Sequence, residues 1–196
     1  MNSLNKYKQL IHAKCQMPEN RFGPAFFQEH IMYVEKYAQR LAQALSADTE
    51  VVLAAAYLHD LAAVVDFNCL AQHATLGSRM SLDILAGGHL PKEKIEAVSQ
   101  CIALHSVPLS TDAGSVEAVC LSNADAMSQI ANPTYWLFYI YVIRGFAFEE
   151  GRDWYYQRIT SHWDSLIKPA QEIIEPEYRR ALEMLTQALA PAEQAN

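Results

Sequence analysis

Six titratable side chains stand where the surrounding helical pattern would ordinarily place aliphatic residues: His30, His59, Asp60, His73, His105 and Asp125. A buried carboxylate without a partner is destabilising by several kcal/mol, or its pKa shifts until the group is neutral. A divalent cation offsets this penalty, because imidazole nitrogen and carboxylate oxygen are ligands for Mn, Fe, Co, Ni and Zn, and carboxylate also for Mg. The pattern therefore predicts one or two divalent metal ions, whose bound water loses a proton readily enough to attack phosphorus.

The strongest of these signals is the pair His59-Asp60, which interrupts the most apolar stretch of the chain, VVLAAAYLHDLAAVV. The alternative is that this pair is a buried ion pair without a metal. His73 and His105 could likewise be core histidines that donate to backbone carbonyls. The other three histidines lack supporting context and are predicted at the surface or at the rim of a site: His12, His89 and His162.

The overall composition favours a compact protein and allows a small anionic ligand if bound metal supplies positive charge locally. The 196 residues are 51% hydrophobic and carry a formal net charge of -7, with no run among the 15 basic residues. Nucleic-acid surfaces need clustered Lys and Arg, so a nucleic-acid polymer is not an expected partner. The four cysteines form no CxxC pair, the N-terminus lacks a signal peptide, and the longest apolar run is too short to cross a bilayer. We therefore expect a cytoplasmic protein without a membrane partner.

Helical spacing of apolar residues continues along nearly the whole chain, beginning with the stripe from Ala25 to Leu45. Residue types that start, stop or interrupt helices punctuate this spacing: Asp48 or Thr49, Gly87-Gly88, Pro91, the loop Ser106 to Ser115 with Ser115 as a cap, Asn132-Pro133, Gly151, Pro169 and Pro176. The prediction is an all-α fold, a single-domain helical bundle over residues 1–196. Its motif-bearing core spans about 24–130, and C-terminal helices span 133–190.

Two further segments leave alternatives open. The aromatic run from Tyr135 to Phe148 lacks interleaved basic residues, so we expect a core helix or the interface of a homodimer rather than a base-stacking platform. Asp66 follows the apolar helix closely. It either begins a loop or acts beside the site as a supporting or proton-donating group.

The ordered pattern H…HD…D resembles that of the HD-domain superfamily of metal-dependent phosphohydrolases. Its parts are EHIMYVEKYAQRLA with His30, AAAYLHDLAA with His59-Asp60, and LSNADAM with Asp125. Between them, QHATLGSRMSLDIL and IALHS are similar to elements of one large bacterial subgroup that has additional histidine ligands. The resemblance covers roughly residues 24–130 and implies an all-α bundle.

Ligand roles follow from this resemblance. It implies a first metal position held by His30, His59, Asp60 and Asp125, and a second completed by His73 and His105. Asp60 would bridge the two ions, a bridging hydroxide would be the nucleophile, and His59 and Asp60 would form the catalytic centre.

Two departures from the family pattern limit what the resemblance implies. Ala62 and Ala63 stand where many relatives carry Gly followed by Lys or Arg, and the GYP element of cyclic-dinucleotide phosphodiesterases is absent. Arg79, on the helix of His73, is therefore the predicted substrate-binding cation. The alternative is an ordinary solvated arginine.

The predicted function is hydrolysis of a phosphomonoester or phosphoanhydride of a small phosphorylated metabolite, with a nucleotide as the expected substrate. One alternative is a sensor or nucleotide-binding module that keeps the metal but turns nothing over. The other is a metal that only stabilises the fold, for which a coordinatively closed ion would be expected.

Overall fold

The computed structural model describes residues 3–110 and 114–187, and every regular element within them is helical. The α-helices of these residues are α1 (Ser3–Cys15), α2 (Met32–Leu45), α3 (Thr49–Leu58), α4 (Leu61–Val65), α5 (His73–Ala86), α6 (Lys92–Leu104), α7 (Val116–Ala131), α8 (Pro133–Phe138), α9 (Phe148–Ser165) and α10 (Lys168–Gln187). Two π-helical segments, Phe27–Ile31 and Tyr139–Ile143, and one 3-10 segment, Phe67–Gln72, lie between them. The all-α prediction is confirmed. Positions 111–113 of the predicted loop and 188–196 at the C-terminal end lie outside the described residues.

The predicted helix starts are confirmed by hydrogen bonds at the caps. The Asp48 carboxylate accepts from the backbone amides of Glu50 and Val51 at 3.0 and 3.3 Å. The Ser115 hydroxyl accepts from the amide of Ala118 at 3.2 Å. Each cap satisfies amides that have no partner within the first helical turn, which fixes where α3 and α7 begin.

The apolar stretch around His59 and Asp60 forms two helices, whereas its spacing predicts one. Helix α3 ends at Leu58, α4 begins at Leu61, and Asp60 has φ −99° and ψ 6°. Successive side chains of a regular helix point about 100° apart. The change of backbone direction at Asp60 lets the side chains of His59 and Asp60 reach the same point, with 3.2 Å between His59 Nε2 and Asp60 Oδ2.

Gly151 and Pro176 lie inside helices, although their residue types predict helix ends. A Cβ at Gly151 would lie 2.5 Å from Tyr141 Cε1 and 2.6 Å from Ile140 Cγ2, so glycine allows α9 to approach the second π-helical segment closely. Pro176 occupies an exposed position of α10, where water can bind the carbonyl that proline leaves unpaired. Pro169 lies in the first turn of α10, a position that proline tolerates.

Helices α2 and α7 pack along each other, α3 packs on α2, α6 and α7, and α5 packs on α6. Helix α10 covers α7 and α9. The buried side chains Leu41, Ile102 and Leu121 join α2, α6 and α7 in one apolar interior. This arrangement surrounds a single point with the segments that carry the six titratable residues.

The aromatic run divides into a buried and an exposed part. Tyr135, Trp136 and Tyr139 are buried, whereas Val142 and Phe148 are exposed. The core role is thus confirmed for the first part, and a homodimer through the second part stays a prediction. Within residues 3–110 and 114–187, no helix combines the length and the apolarity that crossing a membrane requires.

Candidate metal centre and its cavity

Five chain segments deliver the six titratable side chains to one place. His30 comes from the first π-helical segment, His59 and Asp60 from the α3–α4 break, and Asp125 from the middle of α7. His73 is the first residue of α5, and His105 follows the last residue of α6. His30, His59 and His105 are buried, and the other three are partly buried. The structure therefore brings together every ligand that the sequence predicts.

Asp60 lies between two groups of histidines and offers one oxygen to each. Its Oδ2 lies 3.1 Å from His30 Nε2 and 3.2 Å from His59 Nε2. Its Oδ1 lies 3.3 Å from His73 Nε2 and 3.9 Å from His105 Nε2. The resulting groups, His30–His59–Asp60 and Asp60–His73–His105, each have a geometry that could hold a metal ion. Asp125 adjoins the first group, with Oδ1 3.4 Å from His30 Nε2.

Backbone carbonyls fix the tautomer of three histidines. The Nδ1 atoms of His59, His73 and His105 lie 2.7–2.8 Å from the carbonyl oxygens of Ala56, Leu70 and Ile102, respectively. A carbonyl only accepts, so each Nδ1 carries the proton and each neutral ring presents an unprotonated Nε2 to the centre. Such outer hydrogen bonds orient histidine ligands in metalloproteins.

The tautomer of His30 is fixed by a hydroxyl group instead of a backbone carbonyl. Ser128 Oγ donates its proton to the Asp125 carbonyl at 2.7 Å, so it can only accept from His30 Nδ1, which lies 3.1 Å away. His30 Nε2 is thereby left as an acceptor as well. When neutral, the four rings thus present nitrogen lone pairs to the centre that contains the carboxylates of Asp60 and Asp125.

This donor set fits divalent cations and, when all four rings are neutral, leaves no proton between the facing atoms. His30 Nε2 and His59 Nε2 are 3.2 Å apart, and His73 Nε2 and His105 Nε2 are 3.0 Å apart. Ligands about 2.1 Å from a common ion are separated by about 3.0 Å at right angles and about 3.4 Å in a tetrahedron. The lone pairs repel one another unless a positive charge lies between them, and the spacing suits a metal ion.

The electrostatics of the centre also favour bound positive charge. Burial alone would lower the pKa of His59, but the charge of Asp60 and the hydrogen bond to it outweigh burial and raise that pKa to about 9. Burial and the charge of His59 lower the pKa of His105 to about 4. Burial would raise the pKa of the Asp60 carboxyl, but His59 and His30 hold it well below its usual range. The centre therefore keeps its carboxylates ionised.

The candidate ligand atoms border a cavity of about 460 Å³. Part of its lining is aromatic: Phe22, Phe26, Trp136, Tyr139 and Trp154. Two arginines, Arg144 and Arg158, also line it. A cavity with metal-type ligands, aromatic surface and permanent cations can take a small molecule that has both an anionic and a flat apolar part.

The structure does not bring Arg79 to this cavity. His73 faces the centre, and six residues further along α5 an α-helix has turned by about 240°, so Arg79 is exposed on another face. The cavity cations instead come from Arg144, just after the second π-helical segment, and from Arg158 in α9. Asp66 caps the 3-10 segment through the amide of Asn68, which agrees with its predicted place at the start of a loop.

Helix α9 is absent from the predicted site, and His162 is predicted only at the surface or at the rim of a site. His162 is partly buried and lines the cavity, and burial, followed by the charge of Arg158, lowers its pKa to about 4. A signal was present in the spacing, since the cavity-lining residues of α9 lie on one helical face: Trp154, Arg158, Ser161, His162 and Ser165.

A family model of the HD domain matches residues 27–130, more than half of the chain. The chain therefore belongs to the HD-domain family, whose superfamily consists generally of metal-dependent hydrolases. The matched span begins just before His30 and ends after Asp125, so it contains all six candidate ligands.

Solved structures agree with this assignment. Bacillus subtilis YpgQ is 16% identical, with 99% of this chain and 97% of that chain covered and a TM-score of 0.74. The same protein in complex with ADP gives 15% identity, coverage of 98% and 100%, and a TM-score of 0.72. A predicted HD superfamily hydrolase from an uncultured Thermotogales bacterium gives 18% identity, coverage of 94% and 90%, and a TM-score of 0.62. At these identities the likeness establishes the HD-type fold. Comparison with curated proteins gives no significant match.

Proposed function

We propose that this protein is a metal-dependent phosphohydrolase that cleaves a phosphomonoester or phosphoanhydride bond of a small metabolite, with a nucleotide as the substrate. The observation that carries the proposal is the convergence of four imidazole Nε2 atoms and two carboxylates on a cavity that also contains two arginines. Metal ligands and anion-binding side chains in one cavity are what phosphoryl transfer to water requires.

Two groups of residues would each hold one divalent ion. His30, His59, Asp60 and Asp125 would hold one divalent ion, and His73 and His105 with the second oxygen of Asp60 would hold another. When bound, such ions polarise a phosphoryl oxygen and lower the pKa of water. The backbone carbonyls behind His59, His73 and His105 hold the Nδ1 protons, so that the neutral rings direct unprotonated Nε2 atoms at the ion. His59, whose pKa Asp60 raises to about 9 against the effect of burial, would release its Nε2 proton when an ion binds.

Arg144 and Arg158 provide the charge that binds the phosphate part. A guanidinium carries a positive charge in proteins and matches phosphate oxygens geometrically. Both belong to the cavity lining, whereas Ala62 and Ala63, which stand in place of the usual Gly and Lys or Arg, are buried in α4. In this protein the phosphate contact would thus come from the segments after Asp125.

A nucleotide accounts best for the remaining surface. The cavity volume of about 460 Å³ lies within the usual range for small-ligand sites, about 300–1,000 Å³. Trp136, Tyr139 and Trp154 offer aromatic surface beside the arginines. YpgQ, which shares the fold, has been solved in complex with ADP. These observations support a nucleotide substrate and leave its base open.

The test combines metal content with turnover. Purified protein is analysed for bound metals and assayed with a panel of phosphomonoesters and nucleoside phosphates in Mn²⁺, Co²⁺, Ni²⁺ and Mg²⁺. Asp60→Ala should lose both metal and turnover while keeping its helical circular dichroism, because Asp60 contacts both histidine groups. Asp83→Ala, at an exposed position of α5, is the matched control and should match the parent. Parent-like hydrolysis by Asp60→Ala would contradict the proposal.

A non-catalytic nucleotide sensor is the second candidate, and the missing cation after the HD pair favours it. For the sensor we expect tight nucleotide binding without product in every metal tried. Steady-state release of phosphate by the parent, lost in Asp60→Ala, would exclude it. A purely structural metal is less consistent with the site, because the ligand atoms border an open cavity.

A further inference from the structure

Gln129 is a buried polar residue that contacts three functional side chains at once. Its Oε1 lies 2.9 Å from Arg158 Nε and 3.2 Å from His162 Nε2. Its Nε2 lies 3.4 Å from both Asp125 oxygens, a long and shared hydrogen bond. The residue is only 4% exposed and lies one helical turn after Asp125 on α7. Gln129 therefore stands between a candidate metal ligand and a cavity cation.

The chemistry of the partners determines how the Gln129 amide is turned. Arg158 can only donate, and an ionised Asp125 can only accept. The amide oxygen must therefore face Arg158 and the amide nitrogen must face Asp125. A flipped amide would place its N–H donors against Arg158 and its oxygen against the carboxylate of Asp125. His162 faces the same amide oxygen, so its Nε2 carries a proton. A single orientation satisfies all three neighbours.

This orientation of Gln129 leaves the two terminal NH₂ groups of Arg158 available to bind an anion. Gln129 Oε1 accepts from Nε, and within the described residues neither terminal NH₂ group of Arg158 has a hydrogen bond or ion pair with a protein acceptor. The guanidinium also lies over the Trp154 ring at 5.5 Å. Although the Arg158 residue is exposed to solvent, these two contacts hold its guanidinium plane beside the cavity. An arginine held in this way loses less side-chain entropy when it binds an anion.

We propose that Gln129 is a positioning residue that fixes the Arg158 guanidinium as the phosphate contact and ties it to the metal ligand Asp125. The inference rests on the proposed function, since it names the group that binds the phosphate. It predicts that a change at Gln129 affects two separate binding events. One is anion binding through Arg158, and the other is metal binding through Asp125.

The experiment measures these two events by calorimetry. The Kd for Mn²⁺ is determined on metal-depleted protein, and the Kd for the α,β-methylene analogue of ADP is then determined at saturating Mn²⁺. The variants are Gln129→Met, Arg158→Met, their combination and Arg158→Lys. Gln157→Met is the matched control, because it makes the same substitution at an exposed neighbouring position of α9. Melting temperatures are recorded for all.

Arg158→Met is expected to weaken analogue binding about tenfold, the equivalent of one charge-assisted hydrogen bond, and to leave the Mn²⁺ Kd unchanged. Gln129→Met should weaken both analogue and Mn²⁺ binding about tenfold. The combined variant should bind the analogue no more weakly than Gln129→Met alone. Losses that multiply to about a hundredfold would mean that the two residues act independently.

Arg158→Lys separates a positioned guanidinium from charge alone and does not depend on the folding of a core variant. It should bind the analogue as weakly as Arg158→Met, because an ammonium cannot bond to Gln129 through Nε and still present a planar fork. Parent-like binding by Arg158→Lys would contradict the inference. So would a Gln129→Met protein with a lower melting temperature but unchanged Kd values, which is the result expected of a merely structural residue.

The two proposals fail differently. If the parent hydrolyses nothing in the panel but shows the coupled losses, the positioning role stands and the hydrolase proposal fails. If the parent is active but Gln129→Met keeps both affinities, only the positioning role fails. A parent that does not bind the analogue contradicts the role of Arg158.

Discussion

His30 Nδ1 donates to Ser128 Oγ across 3.1 Å, and these residues are 98 positions apart in the chain. The Ser128 hydroxyl has one proton, which it gives to the carbonyl of Asp125 at 2.7 Å. The hydroxyl therefore fixes the tautomer of His30 and connects the first π-helical segment to α7 directly behind the candidate metal centre. The other three candidate ligand histidines use backbone carbonyls for this purpose, and mutation cannot remove a carbonyl.

Ser128→Ala should therefore weaken metal binding without removing a ligand. We expect the Kd for Mn²⁺ to rise about 10–100-fold, because His30 Nε2 is no longer held as an acceptor. The measurement is calorimetric titration of metal-depleted protein. Ser81→Ala is the control, since Ser81 is also buried but bonds to a carbonyl of its own helix, Ser78, at 2.7 Å. Equal Mn²⁺ affinity in parent and Ser128→Ala would refute this role of Ser128.

The division of Asp60 between two histidine groups predicts two metal ions per chain. We expect two Mn²⁺ equivalents in the parent and one in His73→Ala, because His73 belongs only to the second group. His30→Ala should instead weaken the first position, where Asp125 is also close. Stoichiometry from calorimetry or elemental analysis distinguishes the two variants. One equivalent in the parent would show that the two groups act as a single site.

Gly151→Ala should destabilise the fold away from the metal ligands. The added Cβ would lie within 2.6 Å of Tyr141 and Ile140 side-chain atoms, so α9 or the second π-helical segment must shift. We expect a loss of about 1–3 kcal/mol in the free energy of unfolding, the usual range for overpacking, measured by urea denaturation. Gly87→Ala is the control, because its Cβ would meet nothing closer than 3.7 Å. Equal unfolding midpoints for the two variants would contradict the packing of α9.

The fold should lose stability at acid pH when Asp48, the N-cap residue of α3, becomes protonated. Burial would raise the pKa of Asp48, but hydrogen bonds from Lys94 and the amide of Val51 outweigh burial and lower it. A carboxyl whose folded-state pKa is lowered stabilises the fold above its unfolded pKa, near 3.8, and this contribution disappears as the pH falls through the folded pKa.

Asp48→Asn tests this dependence, because asparagine still caps a helix but carries no charge. Urea midpoints are compared between pH 7 and pH 2.5. The parent should be the more stable protein near neutral pH, and its advantage should shrink below about pH 4. If the difference in urea midpoint between the parent and Asp48→Asn is the same at both pH values, the substitution acts through cap geometry, and the charge of Asp48 does not contribute.

The local spacing of residues determined the helices, their caps and the identity of the candidate ligands. Apolar periodicity predicts the helices, and the caps at Asp48 and Ser115 fall where helices begin, because both depend on residues within one or two turns. The identity of the candidate ligands is also local, since His59 and Asp60 are conspicuous in an apolar stretch. Even the tautomers of His59, His73 and His105 depend on carbonyls three residues earlier.

Tertiary packing decided the rest. Helical spacing fixes which face a side chain occupies, but distances between helices depend on how those faces meet. The division of Asp60 between two histidine groups, the His30–Ser128 bond and the approach of α9 to Asp125 through Gln129 all join distant parts of the chain. The cations came from α9 and the end of the second π-helical segment instead of Arg79, because only the packed bundle turns those faces toward the cavity.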